Sequence, residues 1–166
     1  MAEKLILIDT LGILYRGHYA MIRRPLRGSD GTVTSGLSHL LAELVRVAGE
    51  NPGAIIAAVG DAPAPTFRRD IYTEYKANRP ETPEDLREQT RLAREIIPLM
   101  GIPYIEQPGL EADDIIAALA RKSDVPVLIV SPDKDLLQLV SDNVSVLRPG
   151  RYGGDSTLVQ RGKWRT

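Results

Sequence analysis

Unbroken apolar runs recur along the chain, and a run of that kind needs cover on both sides. Residues 4–8 (Leu-Ile-Leu-Ile after a lysine), 54–59 (Ala-Ile-Ile-Ala-Ala-Val) and 125–130 (Val-Pro-Val-Leu-Ile-Val) lack the apolar–polar alternation of a half-wetted sheet. They read as buried strands. Residues 103–106 and 144–147 read as two more. Between them lie helical stretches. Residues 34–48 carry a stripe of Leu37, Leu40, Leu41, Leu44, Val45 and Ala48, with Thr34 or Ser35 as the cap and Gly49 and Pro52 as the stop. Residues 83–100 have Pro83 near the first turn, Pro98 in the last and Gly101 beyond. Residues 11–21, 110–122 and 133–139 complete the set. Strand and helix alternate, so the expected class is α/β: a twisted, mostly parallel central sheet with helices on both faces, in three layers. The hydrophobic share of 43% supports a packed core, and 166 residues suit one domain, here residues 1–150. Residues 151–166, glycine-rich and basic, are expected to form a tail or a hairpin.

In such sheets the working residues collect at the carboxyl ends of the strands. Asp9 and Asp61 close the first two runs. Glu111, Asp113 and Asp114 follow the third, and Asp133 and Asp135 follow the fourth. Seven carboxylates therefore converge on one rim, where they repel one another unless hydrated or neutralised by a cation. Helix capping explains any one of them. It does not explain three acids at one helix start and two at another, nor acids ending buried strands. An oxygen-only set suits Mg²⁺, with Mn²⁺ as substitute. Its natural chemistry is metal-assisted hydrolysis of a phosphodiester by two ions about 3.5–4 Å apart. There is no cysteine, so disulfides and thiolate chemistry are excluded. Of the two histidines, His39 reads as a packed or surface residue. No G-x-x-x-x-G-K, G-x-G-x-x-G or nucleophile-elbow serine occurs. A net charge of −1 gives no global signal for nucleic acid, and no apolar run is long enough to span a membrane. The charge is uneven, with Arg16, Arg23, Arg24 and Arg27 clustered early.

Residues 66–80, Thr-Phe-Arg-Arg-Asp-Ile-Tyr-Thr-Glu-Tyr-Lys-Ala-Asn-Arg-Pro, follow directly after Asp61. Their cations suit phosphates and their tyrosines suit base stacking, although interleaved acids also fit a solvated loop.

Together these residues carry a resemblance. The motifs are Leu5-Ile6-Leu7-Ile8-Asp9, Leu14-Tyr15-Arg16, Asp61, Thr66-Phe67-Arg68, Tyr75-Lys76-Ala77-Asn78-Arg79-Pro80, Pro108-Gly109-Leu110-Glu111-Ala112-Asp113-Asp114 and Asp133-Lys134-Asp135-Leu136-Leu137-Gln138-Leu139. In order and spacing the chain resembles the N-terminal, PIN-like part of the 5′ nuclease family: the 5′–3′ exonuclease domain of bacterial DNA polymerase I, the phage 5′ exonucleases and the flap endonucleases. The resemblance implies a metal-dependent enzyme that cuts DNA at 5′ ends, flaps or duplex–single-strand junctions, in replication and repair. It implies an arch over the site at about residues 63–82 and a cytoplasmic, nucleoid-associated location. Asp9, Asp61, Glu111, Asp113, Asp114, Asp133 and Asp135 would hold or surround the metals, with Asp9 and Asp113 counted as catalytic beside Lys76 and Arg79. Lys76 and Arg79 would steer the scissile phosphate, Tyr75 would stack on a base near the 5′ end and Arg68 would support the arch or touch phosphate. Tyr15 and Arg16 would join the substrate contacts.

The chain departs from the family pattern at Thr10-Leu11-Gly12, at Gly60 (a large apolar residue is common there), at His39 (usually glycine) and at Pro132 (usually glycine). The family's helix-3-turn-helix segment, which grips duplex DNA and adds aspartates to a second metal, is expected to be missing. That implies an incomplete second metal site and low intrinsic activity, or a polymerase domain or separate chain that supplies the rest. The competing readings are a PIN-type ribonuclease and a non-catalytic nucleic-acid-binding module.

Overall fold

β1 (Leu5–Asp9) is the middle one of the five parallel strands and decides where everything else goes. The computed structural model describes residues 4–63, 81–150 and 155–164. Their strands form one seven-stranded sheet in the order β3-β2-β1-β4-β5-β6-β7. β2 (Ile55–Val59) and β3 (Tyr104–Ile105) extend it on one side of β1, and β4 (Val127–Val130) and β5 (Val144–Arg148) on the other, all parallel. β6 (Thr157–Gln160) and β7 (Lys163–Trp164) add an antiparallel hairpin beside β5. The chain thus leaves β1 in one direction and returns past it to build β4. That reversal opens a crevice between the carboxyl ends of β1 and β4, the place where open α/β sheets bind ligands.

Successive strand residues point to opposite faces, and each face has its own core. Ile6, Ile8, Ala58, Leu128 and Val130 pack under α1 (Thr10–Ala20), α2 (Ser35–Glu50) and α3 (Glu84–Leu99). Leu7, Ala57, Val59, Ile129 and Val146 pack under α4 (Ala112–Lys122) and Leu136 of the 3₁₀ helix Asp135–Leu139. The three-layer α/β expectation is met, and the apolar runs are two-faced for the reason inferred. No helix among the described residues is long and apolar enough to cross a membrane.

Three local expectations change. Residues 133–139 do not form an α-helix: only Asp135–Leu139 is helical, and it is 3₁₀, a tight form suited to short pieces. In α2 the buried stripe is Leu37, Leu40, Leu44 and Val47, while Val45 is 62% exposed and Ala48 is also exposed. Glu43 takes a buried place instead, with Arg46 one turn on as its ion-pair partner. The cap of α2 is also not local. Thr34 makes no side-chain cap, and the Ser35 hydroxyl accepts from Leu26 N–H at 2.8 Å.

The first N–H groups of α2 are met from α3 instead. Gln89 is fully buried, and its Oε1 accepts from Gly36 N–H at 2.8 Å and Leu37 N–H at 3.1 Å. Its Nε2 donates to the Asp85 carbonyl at 2.9 Å and lies 3.1 Å from His18 Nδ1 of α1. One amide therefore ties all three helices of this layer together. The crossing is close: a Cβ on Gly36 would sit 2.5 Å from the Leu14 carbonyl, and one on Gly17 would sit 2.5 Å from His39 Cβ. The histidine in α2 is accommodated because α1 offers a glycine opposite it.

Replacing Gln89 with leucine leaves two buried N–H groups without an acceptor, at about 1–3 kcal/mol each. Urea unfolding should show Gln89→Leu destabilised by about 2–4 kcal/mol.

Candidate active site

Asp9 is the last residue of β1 and the N-cap of α1, and it is only 5% exposed. Two donors hold its carboxylate. Gly12 N–H donates to Oδ1 at 3.0 Å, and the Ser131 hydroxyl donates to Oδ2 at 2.6 Å. Burial still raises its pKa above the usual carboxylate value. These hydrogen bonds oppose the rise, while the charges of Asp61 and Asp133 add to it. The turn after Asp9 has no room for a side chain. A Cβ on Gly12 would lie 2.3 Å from Asp9 Oδ2 and 3.0 Å from the Pro132 ring. The Thr-Leu-Gly departure is thus a packing requirement at its third position, with Pro132 as the facing wall.

Asp113 stands in the first turn of α4 and receives no hydrogen bond among the described residues. Its pKa is pushed up from 3.8 to about 6, first by burial and then by the charges of Asp9, Asp133, Asp61 and Glu111. Those four and Asp113 are the carboxylates that the fold brings together. Asp114 forms a capping box with Glu111, its Oδ2 accepting from Glu111 N–H at 3.1 Å. Asp135 is exposed at the start of the 3₁₀ helix, where its N–H donates to Asp133 Oδ1 at 2.9 Å.

Asp61 follows β2, and its Oδ1 accepts from Ala112 N–H at 2.6 Å, so it caps α4 from a distant strand. Capping and acid clustering are therefore combined: one carboxylate oxygen of Asp61 and one of Asp133 take a backbone N–H, and each keeps further lone pairs. Arg94 of α3 steadies this corner, donating to the Asp61 carbonyl at 2.8 Å and to Glu106 at 2.7 Å. Behind Asp61 the Gly60 departure also has a cause. A Cβ there would lie 2.1 Å from the Tyr104 hydroxyl oxygen. The tyrosine fills the space that a larger residue 60 would take. Its hydroxyl lies 3.3 Å from Thr10 Oγ1, and that threonine donates to the Val59 carbonyl at 2.7 Å.

Tyr15 is tethered to Thr82, at the end of the segment expected to form the arch: its hydroxyl lies 3.0 Å from Thr82 Oγ1. Arg16 is half-buried on α1, close enough to His39 to help lower that imidazole's pKa, for which burial is the main cause. Arg68, Tyr75, Lys76 and Arg79 lie outside the described residues.

Ser131 is a site residue that the sequence reading passed over. It is fully buried, donates to Asp9 and accepts from Asp133 N–H at 3.0 Å. A small polar residue ending an otherwise apolar strand was the available signal.

All donors here are oxygens, the set that suits Mg²⁺ or Mn²⁺. Among the described residues no three such side chains are grouped to hold an ion as they stand. The residues nevertheless fit a divalent cation: the charges of four other carboxylates act on Asp113, and a cation would offset the penalty that raises its pKa. Asp9, Asp61 and Asp113, with Glu111 and Asp133, are the residues that could hold it.

Residues 4–163 match the family model described as 5′-3′ exonuclease, N-terminal resolvase-like domain. A 5′-3′ exonuclease of Aquifex aeolicus is 43% identical over 150 residues, covering 89% of this chain and 51% of that protein. The thermostable DNA polymerase I of Thermus aquaticus is 38% identical over 152 residues, covering 90% of this chain and 18% of the polymerase. Among solved structures, the T5 D15 protein co-crystallised with metal ions superposes with a TM-score of 0.67 at 22% identity, over 87% of this chain and 55% of that one. Flap endonuclease-1 from Methanococcus jannaschii superposes with a TM-score of 0.62 at 20% identity, over 95% of this chain and 57% of that one. The structural likenesses show a shared fold, and the chain spans about half or less of the length of these curated relatives.

Two measurements follow from this geometry. Gly60→Val and Tyr104→Ala should each destabilise the protein, while the double variant recovers part of the loss; a thermal-melting cycle should give a favourable coupling of about 0.5–3 kcal/mol. Asp113 favours its neutral form in the fold, so that contribution to stability is complete below pH 3.8 and is lost as pH rises through about 6. In metal-free buffer Asp113→Asn should therefore gain stability relative to the parent across that window, read from urea midpoints.

Proposed function

The chain belongs to the 5′-3′ exonuclease N-terminal resolvase-like family, and on that premise we propose that it carries the acidic catalytic site of a metal-dependent nuclease that hydrolyses DNA phosphodiesters at 5′ ends or flaps. The observation that carries the reading is the convergence of Asp9, Asp61, Glu111 and Asp133 on Asp113 at the crevice between β1 and β4.

Divalent ions, when bound, would supply the charge that offsets the phosphodiester and activates water for attack. The chain's own contribution is placement. Asp9 is locked by two donors, Asp61 by α4 and Arg94, and Asp133 by the Ser131 turn. Carboxylates held this way lose little freedom on taking up a cation. Asp113, whose pKa is raised by burial and by four other carboxylates, is a carboxylate whose charge an ion would favour. Lys76 and Arg79 are the cations proposed to steer the scissile phosphate, with Tyr75 stacking on a terminal base. Mg²⁺ is the proposed physiological ion, in a two-ion arrangement. A polymerase domain is the partner such a site would serve, since DNA polymerase I of Thermus aquaticus contains a matching region.

The test is cleavage of a 5′-flap DNA with and without Mg²⁺ or Mn²⁺. The parent should cut only with metal, and Asp113→Ala should lose about 100-fold or more in rate. Equal rates for the two would remove the metal assignment. DNA binding without cleavage at any metal concentration would favour a non-catalytic binding module, and preferential cleavage of RNA would favour a PIN-type ribonuclease.

A further inference from the structure

We propose that Ser131 is a positioning residue for the acidic site: its hydroxyl locks the carboxylate of Asp9 and the backbone of Asp133 into one unit and so sets the affinity for the divalent cation. The proposal deepens the metal-dependent nuclease reading and rests on it.

The β1–β4 ladder ends at the Ile8–Val130 pair, one residue short of the site. Beyond it the two chains part. Asp9 turns into α1 under one face of the sheet, and Ser131 leads through Pro132 towards the 3₁₀ helix under the other. The Ser131 hydroxyl bridges this divergence. It donates to Asp9 Oδ2 at 2.6 Å and accepts from Asp133 N–H at 3.0 Å. Serine is itself fixed, because it is fully buried and its N–H donates to the Leu147 carbonyl of β5 at 3.1 Å. Proline next in the chain restricts φ and has no N–H, and its carbonyl lies 3.4 Å from Arg148 Nη2. The hydroxyl is thus anchored from β4, which it follows, and from β5 before it meets the acids.

A hydroxyl can donate and accept at once, which neither alanine nor valine can do. Without it Asp9 keeps one donor, Gly12 N–H, and the carboxylate can turn about χ2, a torsion with a broad profile. Asp133 loses the contact that places its N–H, and with it the registration between ligands from β1 and β4. Residues that orient metal ligands in this way typically change metal affinity or activity by about 10–100-fold when removed.

The experiment compares the parent, Ser131→Ala and Ser131→Thr by calorimetric Mn²⁺ titration without DNA, by melting of the metal-free protein, and by the Mn²⁺ dependence of 5′-flap cleavage. Ser131→Ala should weaken Mn²⁺ binding by about 10–100-fold, with cleavage recovering as Mn²⁺ is raised. Ser131→Thr, which keeps the hydroxyl, should restore the affinity. If Ser131→Ala does not yield folded protein, Ser131→Cys replaces it, since a thiol donates too weakly to hold Asp9. An alanine or cysteine variant that melts lower yet binds Mn²⁺ like the parent would overturn the proposal, as would a threonine variant as weak as alanine. No Mn²⁺ binding by the parent overturns the proposal together with the metal reading. If the parent binds Mn²⁺ but leaves DNA intact, the nuclease reading fails, and the Ser131 assignment stands on the titrations.

Discussion

A carboxylate buried at the end of the middle parallel strand is the constraint to which its neighbours answer. Asp9 sits where water is nearly excluded, and leaving it ionised there is costly unless donors and countercharge are supplied. Gly12 gives up its side chain so that its N–H can reach the carboxylate, and Pro132 fills the volume on the far side. The strand order places this residue beside the divergence of β1 and β4, so acids from three other segments can be brought to it. The resulting repulsion is offset only in part by hydrogen bonds. An arrangement left electrostatically incomplete in this way is what a cation-dependent site requires of its protein.

Two of the departures from the family pattern each have a packing partner. Gly60 is small because Tyr104, from the neighbouring strand, occupies the space beside it. His39 fits because Gly17 faces it. Each pair keeps the packing density that interiors demand, and each joins residues far apart in the chain.

What the sequence made legible divides along the same line. The strands were readable because a two-sided burial requirement writes itself into successive residues, as in the Leu-Ile-Leu-Ile run of β1. The acids at the strand ends were readable because strand direction alone fixes which end they occupy. The face of α2 was misjudged because its leucines and valines cover more than one stripe, and only the packing partners decide that Val47 goes in and Val45 stays out. Glu43 could take a buried place because Arg46 neutralises it, which no hydropathy pattern registers. Residues 133–139 read as helix, with nothing in the pattern to set its type. Asp133 spends its carboxylate on the Asp135 N–H, and too few residues remain for more than a 3₁₀ turn. Gln89 carries no local pattern, because it acts on segments remote in sequence, and at Ser131 the polar residue after an apolar strand does not reveal its partner Asp9, 122 residues away.

Gln89 has a consequence for how the protein assembles. Isolated helices start poorly, since the first turn spends chain entropy before it gains bonds. α2 has no side-chain cap of its own to ease that start, and its acceptor arrives from 52 and 53 residues downstream. The beginning of α2 is therefore completed only when α3 docks, so two helices with β2 and residues 60–83 between them mature as one cooperative unit. Amide exchange at Gly36 and Leu37 would then report the opening of the helical layer as a body, where an ordinary helix end would only fray.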